Sequence, residues 1–198
     1  MRYYISDCHF GHENMNTRMD TRGFSSAQEM DEYMIEQWNK KVRKNDEVVI
    51  LGDLSWGDGN YTNNILKRLN GQKFLIEGNH DRRYLKDKNF DKTLYVWIKP
   101  YAELNDNNRK IICCHYPVFC YNGQYRKLPS GEPRTYMLYG HVHDTQDQRL
   151  VEQFQKITRN TQVRDGNIPC NMINCFCMYS DYTPLTLDEW IAKQKENR

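Results

Sequence analysis

A chain of 198 residues is long enough to bury one sizeable core and leaves little room for a second, so a single domain over residues 1–198 is expected. Its 13% aromatic content, with 14 Tyr and 4 Trp, excludes intrinsic disorder, while a mean hydropathy of −0.92 marks a polar, well-solvated surface. Lys and Arg total 28 against 26 Asp and Glu; a net charge of +2 gives no global attraction to nucleic acid or membrane, so any affinity for phosphate must be local.

The N-terminal run Met1-Arg2-Tyr3-Tyr4-Ile5-Ser6-Asp7 reaches charged residues too soon for a signal peptide, and no apolar run approaches bilayer-spanning length. A cytoplasmic address is the expectation. Seven cysteines are an odd number, and Cys113-Cys114 and Cys175-x-Cys177 lie inside apolar runs, which reads as reduced core thiols rather than a disulfide framework. A zinc site at Cys170, Cys175 and Cys177 is the sharper alternative, but the paired C-x-x-C spacing of structural zinc sites is absent.

In chain order, residues 2–6 read as a first strand that runs into a polar turn holding Asp7, His9, Gly11 and His12. Ser26-x-x-Glu29 has the form of a capping box, and Met30, Met34, Trp38 and Val42 follow at helical spacing, which predicts a helix over 27–42. Residues 47–51 form a β-branched run ending in Gly52-Asp53. Residues 62–69 suit a helix closed by the turn signal Asn70-Gly71, and 73–76 form another strand ending near Gly78-Asn79-His80-Asp81. This alternation predicts parallel strands with helical crossovers. Strands over 94–98, 101–104 and 110–114 then follow closely, the last two joined by a hairpin at 105–108, so antiparallel pairing enters there. Residues 136–139 precede Gly140-His141-Val142-His143, 147–157 predict a helix, 162–169 a surface loop and 170–178 a long apolar strand. A final helix from about 187 is introduced by Thr186-x-x-Glu189.

Five of the six histidines sit in short polar clusters directly after these apolar runs. In an extended chain, residues at i and i+2 face one side, so Asp7 with His9, and His141 with His143, can each aim two ligand atoms at one point. The carboxyl ends of parallel strands are where open α/β sheets place ligands. Asp7, His9, Asp53, Asn79, His115, His141 and His143 emerge as candidate ligands, too many for one ion. Imidazole with carboxylate favours first-row divalent metals, and two such ions clamp an in-line phosphoryl displacement. Mn²⁺, Fe, Zn²⁺ and Ni²⁺ all suit the set.

The blocks Asp7-x-His9, Gly52-Asp53, Gly78-Asn79-His80-Asp81, His115 and Gly140-His141-x-His143 resemble the signature of the calcineurin-like metallophosphoesterase superfamily, and the opening 4–12 and closing 182–187 resemble its small bacterial and phage members. The resemblance implies an α/β fold, a β-sandwich of mixed sheets flanked by helices, with the metal site at strand C-terminal ends. It implies one metal on Asp7, His9 and His143, another on Asn79, His115 and His141, Asp53 bridging, and a hydroxide between the ions as nucleophile. It also implies His80 as general acid, oriented by Asp81. Arg82, Arg83 and Arg126 are candidate substrate contacts; Lys127 and Arg134 share the segment of Arg126, and Tyr116, Phe119, Tyr121 and Tyr125 offer a stacking surface or core. Many relatives carry Asp or Arg where this chain has Trp56, with Asp58 as a substitute from a shifted turn, and His12 has no slot in the pattern.

The expected function is therefore a binuclear metallophosphoesterase acting on a small phosphomonoester or phosphodiester, including a nucleotide, without a membrane partner. Two alternatives stand beside it. A nuclease would use the same chemistry, but near-neutral charge disfavours it. A non-catalytic metal-binding scaffold would keep the fold without the reaction, which retention of the full ligand set with His80 disfavours.

Overall fold

Short runs of β-branched and aromatic residues build the first sheet, and the computed structural model describes residues 1–163 and 166–196 of the chain. Strands β1 (Arg2–Ile5), β2 (Glu47–Ile50), β3 (Gln72–Ile76) and β4 (Tyr95–Lys99) line up in that order, all parallel, with Ile5 opposite Ile50 and Ile50 opposite Leu75. Parallel strands need crossovers, and α1 (Ala27–Lys41), α2 (Gly59–Arg68) and α3 (Arg82–Leu85) occupy them in turn. Alternate side chains therefore face different layers: Tyr3, Ile5, Val48, Ile50 and Leu75 pack with Met30, Met34, Trp38 and Leu66 from the helices, while Tyr4, Val49, Leu51 and Ile76 face the other way. Burial on both faces explains why these strands read as continuous apolar runs.

The second sheet has the order β10-β7-β6-β5, from β5 (Tyr101–Asp106), β6 (Arg109–Cys114), β7 (Thr135–Tyr139) and β10 (Met172–Asn174). β5 and β6 form the expected antiparallel hairpin, turned by Asn107 and Asn108 at φ 47° and 62°; the other pairings are parallel. The two sheets face each other across a core of Tyr4, Val49, Leu51 and Ile76 against Ile111, Cys113, Leu138 and Ile173. The outer face of the second sheet, with Met137, Tyr139 and Met172, is covered by Val151 of α4 (Gln146–Asn160). The result is an α/β sandwich of two sheets flanked by helices. Trp190 of α5 (Leu187–Glu196) fills the core between the sheets, and its Nε1 donates to the Tyr4 carbonyl at 3.0 Å.

Some expectations are corrected. The apolar run 170–178 is a strand only over Met172–Asn174. Beyond it the chain crosses to the first sheet, where Ser6 N–H donates to the Cys175 carbonyl (2.8 Å) and Cys177 N–H to the Ser6 carbonyl (3.1 Å), and then turns through a short 3-10 helix at Cys177–Ser180. The run is apolar because both sides of the crossing are buried. Helix α2 starts a turn before residue 62, because Asp58 Oδ1 accepts from Tyr61 N–H and caps it. The loop 162–169 contains the small hairpin of β8 (Gln162–Val163) and β9 (Gly166–Asn167). The α1 capping box is displaced by one residue: Ser26 accepts from Glu29 N–H, but the Glu29 carboxylate accepts from Ser25. No helix among the described residues is long and apolar enough to cross a membrane.

Candidate metal centre

The ligand turns leave the strands at their carboxyl ends, from β1, β2 and β3 of one sheet and from β6 and β7 of the other. Convergence of the i, i+2 pairs does not come from extended chain, as the sequence suggested. Asp7, His9, Asp53, His141 and His143 all lie in the left-handed region, at φ 56°, 52°, 54°, 70° and 45°. Each such residue costs an L-amino acid roughly 1–2 kcal/mol, and strain of this kind persists only where surrounding contacts dictate it. Those contacts are present. Asp7 N–H donates to the Gly52 carbonyl (3.1 Å), His9 N–H to the Asp53 carbonyl (3.0 Å), and Asn174 Nδ2 to the His143 carbonyl (2.9 Å). Gly52, at φ 93°, lies so near the His115 ring that any side chain would displace the imidazole.

Two clusters result, each with ligand atoms within 4.8 Å of one another: Asp7, His9 and His143, which are buried, and Asp53, His115 and His141, of which His141 is exposed. The Nε2 atoms of His9 and His143 face each other at 3.3 Å, with Asp7 Oδ1 at 3.6 Å from His143 Nε2. Asp53 Oδ2 sits between the clusters, 3.4 Å from His115 Nε2 and 3.7 Å from His9 Nε2. Asn79 Oδ1 lies 3.0 Å from both His115 Nε2 and His141 Nδ1. Ring nitrogens and carboxylate oxygens crowd one point from several turns, a donor set that fits two first-row divalent ions. A cavity of about 930 Å³ between α4 and α5, lined in part by Arg149, Lys156, Trp190 and Lys193, contains none of these ligands.

Burial and charge oppose each other across the cluster. Burial alone would raise Asp7, but the hydrogen bond and charge of His143, with His115 and His9, hold it well below the usual carboxylate range. Asp53 is lowered in the same way, burial being outweighed by His115. Burial pushes His9 down to about 3, against the pull of Asp53 and Asp7, so its ring is neutral. His143 goes the other way: burial disfavours its charge, but hydrogen bonds to Asp20 and Asp7 raise it to about 10. His115 is likewise raised to about 9 by Asp53 and Asp7 despite burial. The anionic carboxylates of Asp7 and Asp53 and the neutral ring of His9 are ready for a cation, and His115 and His143 become donors on losing a proton.

The profile of the calcineurin-like phosphoesterase family matches residues 3–194. The chain belongs to this family. It is 42% identical over 82 residues to the uncharacterized protein MJ1445 of Methanocaldococcus jannaschii, covering 40% of this chain and 46% of that one. It is 37% identical over 83 residues to the gene 66 protein of Mycobacterium phage D29, covering 40% of each. These matches span less than half the length of the curated relatives. The crystal structure of AQ665 from Aquifex aeolicus, a protein of unknown function, superposes with a TM-score of 0.68 over 98% of both chains at 25% identity.

His80 stands at the rim of the cluster with its side chain 34% exposed and Nε2 3.9 Å from Asp53 Oδ2, while its N–H donates to Asp53 Oδ1 at 2.9 Å. Among the described residues, no hydrogen bond joins Asp81 to the His80 ring. Asp81 is fully buried, and its oxygens accept from Asp53 N–H (2.8 Å), Gly78 N–H (2.8 Å), Leu54 N–H (2.9 Å) and the Tyr84 hydroxyl (3.0 Å). Those bonds fix the backbone of the Asp53 turn instead. The His80 ring rests edge-on against Trp56 at 5.0 Å, and Trp56 also meets His12 at 4.2 Å. Of the three arginines, Arg83 lies over the Trp56 ring (5.3 Å) beside His80, Arg82 is paired with Glu77 at 3.0 Å, and Arg126 makes no hydrogen bond, ion pair or ring contact with the cluster among the described residues. Tyr116 packs on His141 at 4.6 Å, Phe119 packs on Phe154, and the Tyr121 hydroxyl accepts from Asn171 N–H inside the core. Cys170, Cys175 and Cys177 are buried, and among the described residues no cysteine joins a metal-ligating group. Sequence reasoning missed Asp20, whose Oδ1 lies 2.7 Å from His143 Nδ1, and Arg22 behind it; no spacing motif connects either to the ligands.

Proposed function

We propose that this chain is a metal-dependent phosphoesterase that hydrolyses a phosphomonoester or phosphodiester, with His80 as its general acid. The observation that supports this reading is the convergence of two Asp/His clusters, shared through Asp53, in backbone turns held left-handed against their intrinsic preference. Asp7, His9 and His143 would hold one ion; Asp53, His115 and His141, with Asn79, would hold the other. When bound, such a pair supplies Lewis acidity and a clamp for in-line phosphoryl displacement. Asp53 faces both positions and keeps them in register. His80 is the one histidine after the ligand turns with its ring at the open rim rather than among the ligand atoms, which leaves Nε2 free to carry a proton to a leaving oxygen. Trp56 fixes the direction of that ring, and Arg83, stacked on the same indole, offers its donors to substrate oxygens beside it.

The test is a panel of aryl phosphates and bis-aryl phosphates, run with protein reconstituted with Mn²⁺, Fe²⁺, Zn²⁺ or Ni²⁺. Turnover with at least one metal, abolished by chelation, is expected; inactivity with every metal and both ester classes would reject the proposal. His80→Ala is expected to lower kcat by about 10²–10⁴-fold, the usual contribution of a positioned general acid, with the metal content unchanged. Equal kcat in the variant removes His80 from the reaction.

A further inference from the structure

Four histidines face the proposed ions, and what stands behind each ring differs. His115 Nδ1 lies 2.8 Å from the neutral Leu51 carbonyl, and His9 Nδ1 is buried without a hydrogen-bond partner among the described residues. His141 turns its Nδ1 inward to Asn79. Among the described residues, His143 alone has a carboxylate behind it: Asp20 Oδ1 at 2.7 Å from Nδ1. Phe176 stacks flat on the same ring at 4.6 Å and 27°. Edge and face are thus both fixed, and Nε2 is the nitrogen left to point at Asp7 and His9.

Asp20 is itself held. Arg22, with its side chain fully buried, donates to Asp20 Oδ2 through Nε (3.1 Å) and Nη2 (2.8 Å). The same guanidinium donates through Nη2 to the Asp7 carbonyl (2.9 Å) and through Nη1 to the Cys8 carbonyl (2.6 Å). One buried cation therefore ties the carboxylate behind His143 to the strained backbone that carries Asp7. The donors of a guanidinium fork match this set of acceptors, whereas an ammonium would not reach them together. The turn that delivers both residues is prearranged: Thr21 between them is left-handed at φ 50°, Asp20 N–H donates to the Met15 carbonyl (3.1 Å), and the Asn16 side chain exchanges hydrogen bonds with the Phe24 backbone at 2.7 and 2.9 Å.

We propose that Asp20 and Arg22 are positioning residues for one half of the metal centre: they set the tautomer and direction of His143 and the placement of Asp7, so the Asp7–His9–His143 position depends on them and the Asp53–His115–His141 position does not. The inference rests on the metal-centre reading. A carboxylate behind a ligating imidazole makes it a stronger donor, and loss of such a partner lowers metal affinity by about 10–100-fold.

The test is a zinc titration of metal-free wild-type, Asp20→Asn and Arg22→Lys proteins, followed by calorimetry and by histidine-ring nuclear magnetic resonance, which assigns each binding step to its ligands. In Asp20→Asn the step that shifts the His9 and His143 rings is expected to weaken by about 10–100-fold, while the step that shifts His115 and His141 stays at the wild-type value. Arg22→Lys should weaken the same step and carries the test if the Asn variant does not fold. Unchanged binding at both steps overturns the proposal, and so does equal weakening of both, which would be a general loss of negative charge. A wild-type protein that takes up no zinc at either step would instead reject the metal-centre reading on which the proposal stands.

Discussion

Asp81 supplies no ligand atom, yet four donors from three segments end on its two oxygens. Burial and the nearby Asp53 charge raise its acid to about 6, which still leaves it ionised at neutral pH, the form that four donors require. Asp81→Asn would turn an amide NH₂ toward backbone N–H groups. We expect it to destabilise the fold by about 1–3 kcal/mol, the penalty for a buried donor left unpaired, and to weaken metal uptake by freeing the Asp53 turn. Chemical denaturation beside a metal titration checks both effects, and wild-type stability in the variant would refute the role. The ligand histidines make a second prediction. His115 and His143 are raised to about 9 and 10 above an ordinary 6.5, so in the metal-free protein both rings are protonated at pH 7, whereas His9 and His141 are lowered and neutral. The contribution of the two charged rings to metal-free stability is therefore complete below about pH 6.5 and lost as pH rises through 9–10. Metal binding has the opposite slope, because each ring must give up a proton to become a ligand. Calorimetry at pH 7 in buffers of different ionisation enthalpy should show about two protons released on filling both positions, with affinity rising towards pH 9. No proton release would contradict the charge state drawn from the geometry.

At the scale of elements, the ligand turns work because small residues precede them. Gly140 joins β7 to His141, and a methyl group there would overlap Asp7 Oδ2 and the Ser6 side chain across the gap between the sheets. Gly140→Ala is expected to cost about 1–3 kcal/mol through overpacking and to lose metal at the Asp7 position, measured by thermal unfolding and elemental analysis; full metal content would show that the approach of β1 to β7 is not tight. What the sequence revealed of these elements depended on how local the cause was. The α1 stripe Met30, Met34, Trp38 and Val42 was legible because periodicity alone decides it, and all four are buried. The spacing of Asp7 with His9 and of His141 with His143 was legible, but their left-handed backbone was not, since neither Asp nor His announces φ above zero as glycine does. The crossing at Cys175 and Phe176 was misread as strand because burial on both sides gives the same apolar pattern whichever sheet the chain touches. Asp20 was illegible for another reason: its partner His143 lies 123 residues away, and a polar turn with one Asp and one Arg has no pattern of its own.

For the whole molecule, the centre draws its donors from both sheets. Asp7, His9, Asp53 and Asn79 follow strands of the parallel sheet, while His115, His141 and His143 follow strands of the mixed one. The sheets are also joined through their apolar core, the crossing at Ser6 and hydrogen bonds from β1 to β5, where the Tyr4 hydroxyl donates to Asp106 Oδ2 (2.9 Å) and Arg2 Nη1 to the Asn105 carbonyl (2.7 Å). Both proposed positions contain residues from each side, His143 with Asp7 and His9, and Asp53 with His115 and His141. Ions held there would clamp one sheet end to the other, and none of that binding survives in an unfolded chain, where the ligands are far apart in sequence. Linkage then requires each ion to stabilise the fold by about 2.7 kcal/mol at a free concentration of 100 times its Kd. For a chain of 198 residues, each kcal/mol moves the unfolding temperature by about 2–4 °C, so each position filled at that concentration should raise it by about 5–11 °C. The same rise is expected in His80→Ala, which keeps every ligand, and a smaller one in Asp20→Asn at the same metal concentration. Identical unfolding temperatures with and without metal, in protein shown by elemental analysis to be loaded, would mean that the ions do not join the two sheets.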